Sequence, residues 1–267
     1  MMLVDSHCHL DHRDFHGEID AILARARQAG VSTMLTISTT LASFPEILEI
    51  AERHENVFCT AGVHPHEAAA EQWVTADHLL KLTKHPKVVG IGECGLDYYY
   101  DRSPRGTQIA IFKVHAAAAR ETGLPLVVHT RDADEQMASI LEAEMAIGRL
   151  TGVLHCFTSG RALAETAIRL GFHISFSGIL TFKKSEPLRE IAATVPAERL
   201  LIETDAPYLA PVPLRGRRNE PSFIAHTLAA LAACRGEDEA RLAEMTSTNF
   251  FRLFAKAASG RRGGSLS

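Results

Sequence analysis

The chain has 267 residues, 46% of them hydrophobic, and a formal charge of -4. Such a length is near the roughly 250 residues of an eightfold β/α barrel and long for one sandwich or bundle. No apolar run approaches the roughly 20 residues of a bilayer span, and the acidic balance excludes a broad basic coat, so any nucleic-acid contact is expected to be local.

The start, Met1-Met2-Leu3-Val4-Asp5-Ser6, is a short apolar run without the basic segment and long apolar stretch of a secretion signal. It reads instead as a strand that closes on His7 and His9. An amphipathic helix follows, with Ile19, Ile22, Leu23 and Ala26 on one face and Gly30 at its end. Residues 31–37 form a second strand, 44–55 a helix, and 57–63 a third strand. A segment at 79–84 leads to a strand that ends at Glu93. Ser103-Pro104 starts the next helix, whose Ile109, Phe112, Ala116 and Ala119 share a buried face, and Gly123 and Pro125 stop it. Strands then end before His129, His155 and Asp205, with a seventh at 173–176, and helices at 135–146, 162–170 and 188–194 separate them. Helices at 221–234 and 237–254 complete the chain, the second expected to pack outside. The alternation reads as one (β/α)8 TIM barrel with an extra C-terminal helix, over residues 1–257. The Gly/Ser-containing residues 258–267 are expected to form a flexible tail.

Strand ends in such a barrel converge on its C-terminal mouth, where this fold keeps its chemistry. His7, His9, Glu93, His129, His155 and Asp205 all fall at those ends, which reads as a metal site rather than as scattered polar residues. Residues two apart on a strand face the same way, so His7 and His9 can bind one ion. Asp205 joins them, because the last strand neighbours the first in a closed barrel. His129 and His155 come from adjacent strands, near enough to share a second ion, and the two oxygens of Glu93 can bridge both. Taken singly, His129 or His155 reads more readily as a satisfied core histidine, and the set carries the metal reading. Two divalent ions roughly 3.5–4 Å apart would activate a water and steady attacking and leaving oxygens. Imidazole and carboxylate suit Zn, Mn, Mg or Fe.

Five cysteines, an odd number, point to a reducing, cytoplasmic setting. Cys8, Cys94 and Cys156 adjoin proposed ligands, but strand alternation points each away, as small buried apolar residues.

The runs Asp5-Ser6-His7-Cys8-His9-Leu10-Asp11, Gly62-Val63-His64-Pro65-His66 and Gly90-Ile91-Gly92-Glu93-Cys94-Gly95-Leu96-Asp97-Tyr98 resemble the TatD family of metal-dependent deoxyribonucleases. So do Pro125-Leu126-Val127-Val128-His129-Thr130-Arg131, Leu154-His155-Cys156-Phe157-Thr158-Ser159-Gly160, Glu203-Thr204-Asp205-Ala206-Pro207-Tyr208-Leu209 and Arg215-Gly216-Arg217-Arg218-Asn219-Glu220-Pro221. The resemblance covers nearly the whole chain. It implies an amidohydrolase-type barrel, the same six ligands, and phosphodiester hydrolysis, often as a 3′–5′ exonuclease.

Asp205 is then the expected general base. Glu203, facing the same interior, orients a histidine or forms a plain ion pair. His64 is expected to contact a substrate phosphate or leaving oxygen from outside the ligand set, in preference to a purely structural cap. Arg131, Lys183, Lys184 and Arg215 to Arg218 would form a small positive rim or a solvated charge run. Tyr98, Tyr99, Tyr100, Phe157 and Tyr208 would stack bases or seal the barrel top. Single-stranded DNA is the expected partner, with no membrane and a monomeric or weakly associating chain. A deacylase of D-aminoacyl-tRNA, or of another ester or amide, uses the same cage and stays open.

Overall fold

Runs of branched apolar residues, buried along their whole length, alternate with amphipathic helices in the computed structural model, which describes residues 2–262 and, of residues 260–262, the backbone alone. The strands are β1 (Leu3–Cys8), β2 (Val31–Thr36), β3 (Val57–Ala61), β4 (Val88–Asp97), β5 (Leu126–Arg131), β6 (Gly152–Leu154), β7 (His173–Phe176) and β8 (Leu200–Ile202). Each pairs in parallel with its neighbour in sequence. Between them lie α1 (Ile19–Gln28), α2 (Phe44–Arg53), α3 (Ala76–Leu82), α4 (Arg105–Thr122), α5 (Asp134–Ile147), α6 (Arg161–Arg169) and α7 (Glu186–Thr194), and after β8 come α8 (Ile224–Arg235), α9 (Glu239–Leu253) and α10 (Ala255–Arg262). Just beyond β1 and β8, the His9 amide donates to the Ala206 carbonyl at 2.8 Å and the Asp205 amide to the His7 carbonyl at 2.9 Å, which closes the sheet into a TIM barrel. Among the described residues, no helix is long and apolar enough to cross a membrane.

The expected alternation holds, with three departures. First, β4 does not end at Glu93 but runs on to Asp97. Its register with β5 shifts between Ile91 and Cys94, an irregularity that re-aims a side chain without ending the strand. Gly92 makes this possible, with φ 141° and a backbone so close to Val127 that a Cβ would sit 2.6 Å from its carbonyl oxygen.

Second, the last long helix does not pack on the outside. Phe250 and Phe254 of α9 and its end, with Ala257 of α10, cluster with Val4, Leu35, Phe58, Val89, Val127, Val153 and Leu201, which come from seven of the strands. Asn249 donates to the Ala197 and Leu200 carbonyls at 2.8 and 3.0 Å, and the Lys256 ammonium to those of Thr83 and His85 at 2.6 and 2.7 Å. These partners lie at or before the starts of β8 and β4, so the C-terminal helices close the barrel's N-terminal end. Burying each phenylalanine stabilises the fold by about 1.5–3 kcal/mol.

Third, residues 258–262, expected to begin a tail, continue helix α10, while 263–267 lie outside the described residues.

Candidate metal centre

Three short segments set the geometry of the mouth. His7 and His9 flank the end of β1, and His9 is fixed by the hydrogen bond that its amide donates to the Ala206 carbonyl. Asp205 follows β8 with φ 57°, a left-handed conformation that aspartate tolerates better than most residues. Buried Asp5 holds the preceding turn, accepting from the Thr204 amide at 2.9 Å and its hydroxyl at 2.5 Å. Asn219 ties the following loop, donating to the Thr204 and Tyr208 carbonyls at 2.9 and 2.6 Å.

The side chains meet in two groups that share one carboxylate. In the first, His7 Nε2 lies 3.2 Å from His9 Nε2, 3.4 Å from Glu93 Oε2 and 3.6 Å from Asp205 Oδ1. His9 Nε2 is 3.4 Å from Asp205 Oδ1 and 3.9 Å from Glu93 Oε2. In the second, Glu93 Oε1 lies 2.8 Å from His155 Nε2, 3.2 Å from His129 Nδ1 and 3.4 Å from His64 Nε2. A tetrahedron of nitrogen and oxygen ligands about 2.1 Å from an ion has edges of about 3.4 Å. The donors present therefore fit divalent ions. Glu93 Oε2, His7 Nδ1 and Glu203 Oε2 are also buried with no hydrogen-bond partner, a cost of about 1–3 kcal/mol each that a bound cation or its ligands can offset. His64, expected outside the ligand set, is drawn by this geometry into the second donor group with Glu93 and His129.

Partners behind these donors fix the rings. Glu203 Oε1 contacts His155 Nδ1 at 3.3 Å, an arrangement that turns Nε2 toward Glu93. Asp97 Oδ2 sits 3.1 Å from His129 Nε2 and 2.9 Å from His66 Nε2, and its other oxygen accepts the Tyr100 amide at 2.8 Å. A carboxylate behind an imidazole fixes tautomer and aim. The sequence reading missed Asp97 and His66 as site residues, although both stand inside runs that it singled out.

Burial opposes every charge here, and histidine–carboxylate contacts outweigh it at Glu93, His9 and Asp97. It would raise Glu93, but His155, His64 and His7 hold that carboxyl well below its usual range. It would lower His9, yet Asp205, Glu93 and Asp11 carry the imidazole up to about 9. In His64 burial wins, and the ring is pushed well below its ordinary value. Asp97 is likewise held far below the carboxylate range by His129 and His66, against the pull of burial.

The donors other than His7 line a cavity of about 680 Å³ together with Tyr100, Arg102, Arg131 and Tyr208. Cys156 lines it too, contrary to the expected outward alternation. Its position, beyond the end of β6 and at φ 42°, no longer follows strand alternation. Its Sγ is 3.2 Å from Ser177 Oγ, and burial pushes the thiol well up, so it stays protonated. Cys8 and Cys94 are buried in the outer apolar layer as expected.

Of the expected rim, Arg131 is at the cavity. Lys183 and Arg217 are exposed and outside its lining. Arg215 stacks on the Phe182 ring at 4.0 Å, and Arg218 pairs with Glu18 at 2.9 Å, so both are engaged elsewhere. Phe157 is buried in the core, whereas Tyr99, Tyr100 and Tyr208 are about half exposed.

A TIM barrel whose mouth gathers histidines around a shared carboxylate belongs with the metal-dependent hydrolases. The family model for TatD-related DNase matches residues 4–255. The chain belongs to the TatD family. It is 42% identical over 257 residues to the uncharacterized metal-dependent hydrolase YcfH of Escherichia coli K12, covering 95% of this chain and 96% of that one. It is 40% identical over 249 residues to the 3′-5′ ssDNA/RNA exonuclease TatD of Enterobacter lignolyticus, covering 91% and 95%. The crystal structure of YJJV, a TatD homologue from Escherichia coli, superposes with a TM-score of 0.85 at 30% identity, over 95% of this chain and 98% of that one.

Proposed function

We propose that this hydrolase cleaves phosphodiester bonds of DNA, working from single-stranded 3′ ends with two divalent ions of Mg, Mn or Zn. The observation that carries the reading is the division of Glu93: one oxygen faces His7 and His9, the other His64, His129 and His155. His7, His9 and Asp205 would hold one ion, His129 and His155 with His64 the other, and Glu93 both. Ions bound there supply Lewis-acid polarisation of the phosphate and acidify a water.

The chain's own residues do the rest. Asp205, held below its usual range by His9 and His7 although burial raises it, is an unprotonated base, and its Oδ1 faces the cavity beside both imidazoles. It would take the proton of the attacking water. Glu203 keeps His155 in one tautomer. Arg131 would take a phosphate oxygen at the edge of the cavity, and Tyr100 and Tyr208 would bracket the terminal nucleotide. With so few cations at the mouth, the site has little means of opening a duplex.

The relatives named as nucleases support this substrate class. The test is release of mononucleotides from single-stranded DNA labelled at its 3′ end, with and without metal, beside a blunt duplex and a D-aminoacyl-tRNA. Metal-dependent release from the single strand, faster than from the duplex, is expected. Release of amino acid from the charged tRNA without mononucleotides from DNA would replace the reading by a deacylase.

A further inference from the structure

A second cavity, of about 900 Å³, opens beside the one that holds the donor groups. Arg131 and Thr158 line both, so they form the sill between them. The Arg131 guanidinium lies 4.1 Å from the Tyr99 ring centre and 4.7 Å from that of Tyr100. Among the described residues this arginine has no carboxylate partner, unlike Arg218, Arg25 or Arg120. Contact with two rings holds a guanidinium in place and leaves its fork of donors free for an anion.

Spacing gives the anion's place in a substrate. His129 and Arg131 are two residues apart on β5, hence on one face and about 6.6 Å apart along the strand. That is close to one step between neighbouring phosphates of an extended single strand. The lining of the second cavity also carries Asp132, Asp134 and Glu135. Carboxylates accept hydrogen bonds from base amino groups and repel a further phosphate.

Resting on the nuclease reading above, we propose that the second cavity is a subsite for the adjoining nucleotide of a single strand. Its phosphate sits on Arg131, its base stacks on half-exposed Tyr99, and the acids in the lining disfavour a further phosphate. The enzyme would thus read two phosphates, the scissile one and one neighbour.

The experiment compares kcat/KM for bis(p-nitrophenyl) phosphate, a trinucleotide and a decanucleotide, using metal-loaded wild type, Arg131→Ala, Tyr99→Ala and Tyr99→Phe. Wild type should improve from the small ester to the trinucleotide and then level off. Arg131→Ala should lose about 10-fold more on the trinucleotide than on the ester, the scale of one charge-assisted contact. Tyr99→Ala should lose about 5-fold more on the trinucleotide, and Tyr99→Phe should restore it, because stacking needs the ring and not the hydroxyl. Equal losses on ester and trinucleotide, or a continued rise to the decanucleotide, overturn the subsite and leave the nuclease reading standing. Wild type that turns over the ester but neither oligonucleotide overturns the nuclease reading and the subsite together.

Discussion

At the N-terminal end of the barrel, the interior is filled by Val4, Val89, Val127, Val153 and Leu201 against Phe250 and Phe254. At the other end the same strands, or the residues just past them, carry His7, Glu93, His129, His155 and Asp205, with buried polar atoms left unpaired. Only a short step separates the two regimes: Val127 and His129 are two residues apart. One end is built for packing, where every atom finds a partner by contact. The other tolerates like charges and orphan donors that a pure core would exclude, which is reasonable only if a ligand completes it. Stability and chemistry are thereby divided along the strand axis, and substitutions at the two ends should have opposite signatures.

Asp205→Asn should break the chemical end. Asparagine accepts the left-handed backbone at that position and keeps the shape, but it loses the charge and the proton-accepting capacity. Turnover on single-stranded DNA should fall about 10²–10⁴-fold, with the melting temperature little altered. Near-normal turnover would remove Asp205 as the base.

Phe254→Ala should do the reverse. Loss of a ring at 0% exposure in the closing cluster should cost about 3–5 kcal/mol by urea unfolding. Metal content and turnover per folded molecule should stay near those of wild type. If activity per folded molecule collapses too, the two ends are coupled and the division fails.

Asp97→Asn sharpens the comparison within the mouth. It removes the charge behind His129 but keeps an oxygen for the Tyr100 amide, so metal affinity should weaken about 10–100-fold. Isothermal titration with Mn or Zn measures it. An unaltered affinity would make Asp97 a turn residue only.

The smallest effect concerns pH and the layer behind the mouth. His115, buried, accepts the Val63 amide at 2.9 Å beside His64, and burial lowers its pKa to about 4. An unfolded chain protonates this ring near 6.5, so the unfolded state gains the extra proton between those values. The contribution of neutral His115 is complete above pH 6.5 and is lost as pH falls toward 4. Urea stabilities of wild type and His115→Gln should therefore converge by about 2 kcal/mol between pH 7 and pH 5. A constant gap would mean that His115 is not held neutral by the fold.

The barrel was legible because parallel strands buried on both faces leave near-continuous apolar runs, and turns such as that at Gly123 punctuate them. The candidate donors were legible because they stand at or just beyond the ends of such runs. Glu93 was misread as a strand end, since an apolar pattern does not reveal a register shift inside a strand. The closing role of α9 was hidden because Phe250 and Phe254 read as one face of any amphipathic helix, whichever surface they cover. Asp97 and His66 escaped notice because their importance lies in a contact across 31 positions of sequence. Lys183 and Arg217 sit in the expected loops but stand exposed outside the cavity's lining, and sequence does not say which way a loop side chain turns.

The central claim is that the histidines and carboxylates of the mouth exist to hold divalent ions. Its most direct test is metal stoichiometry measured beside 3′-end hydrolysis of single-stranded DNA, on one preparation before and after chelation, with circular dichroism as the control for folding. Up to two divalent ions per chain are expected. Their removal should abolish hydrolysis and leave the barrel folded, and activity should return with added Mg, Mn or Zn. Full hydrolysis by protein confirmed to be metal-free would contradict the account.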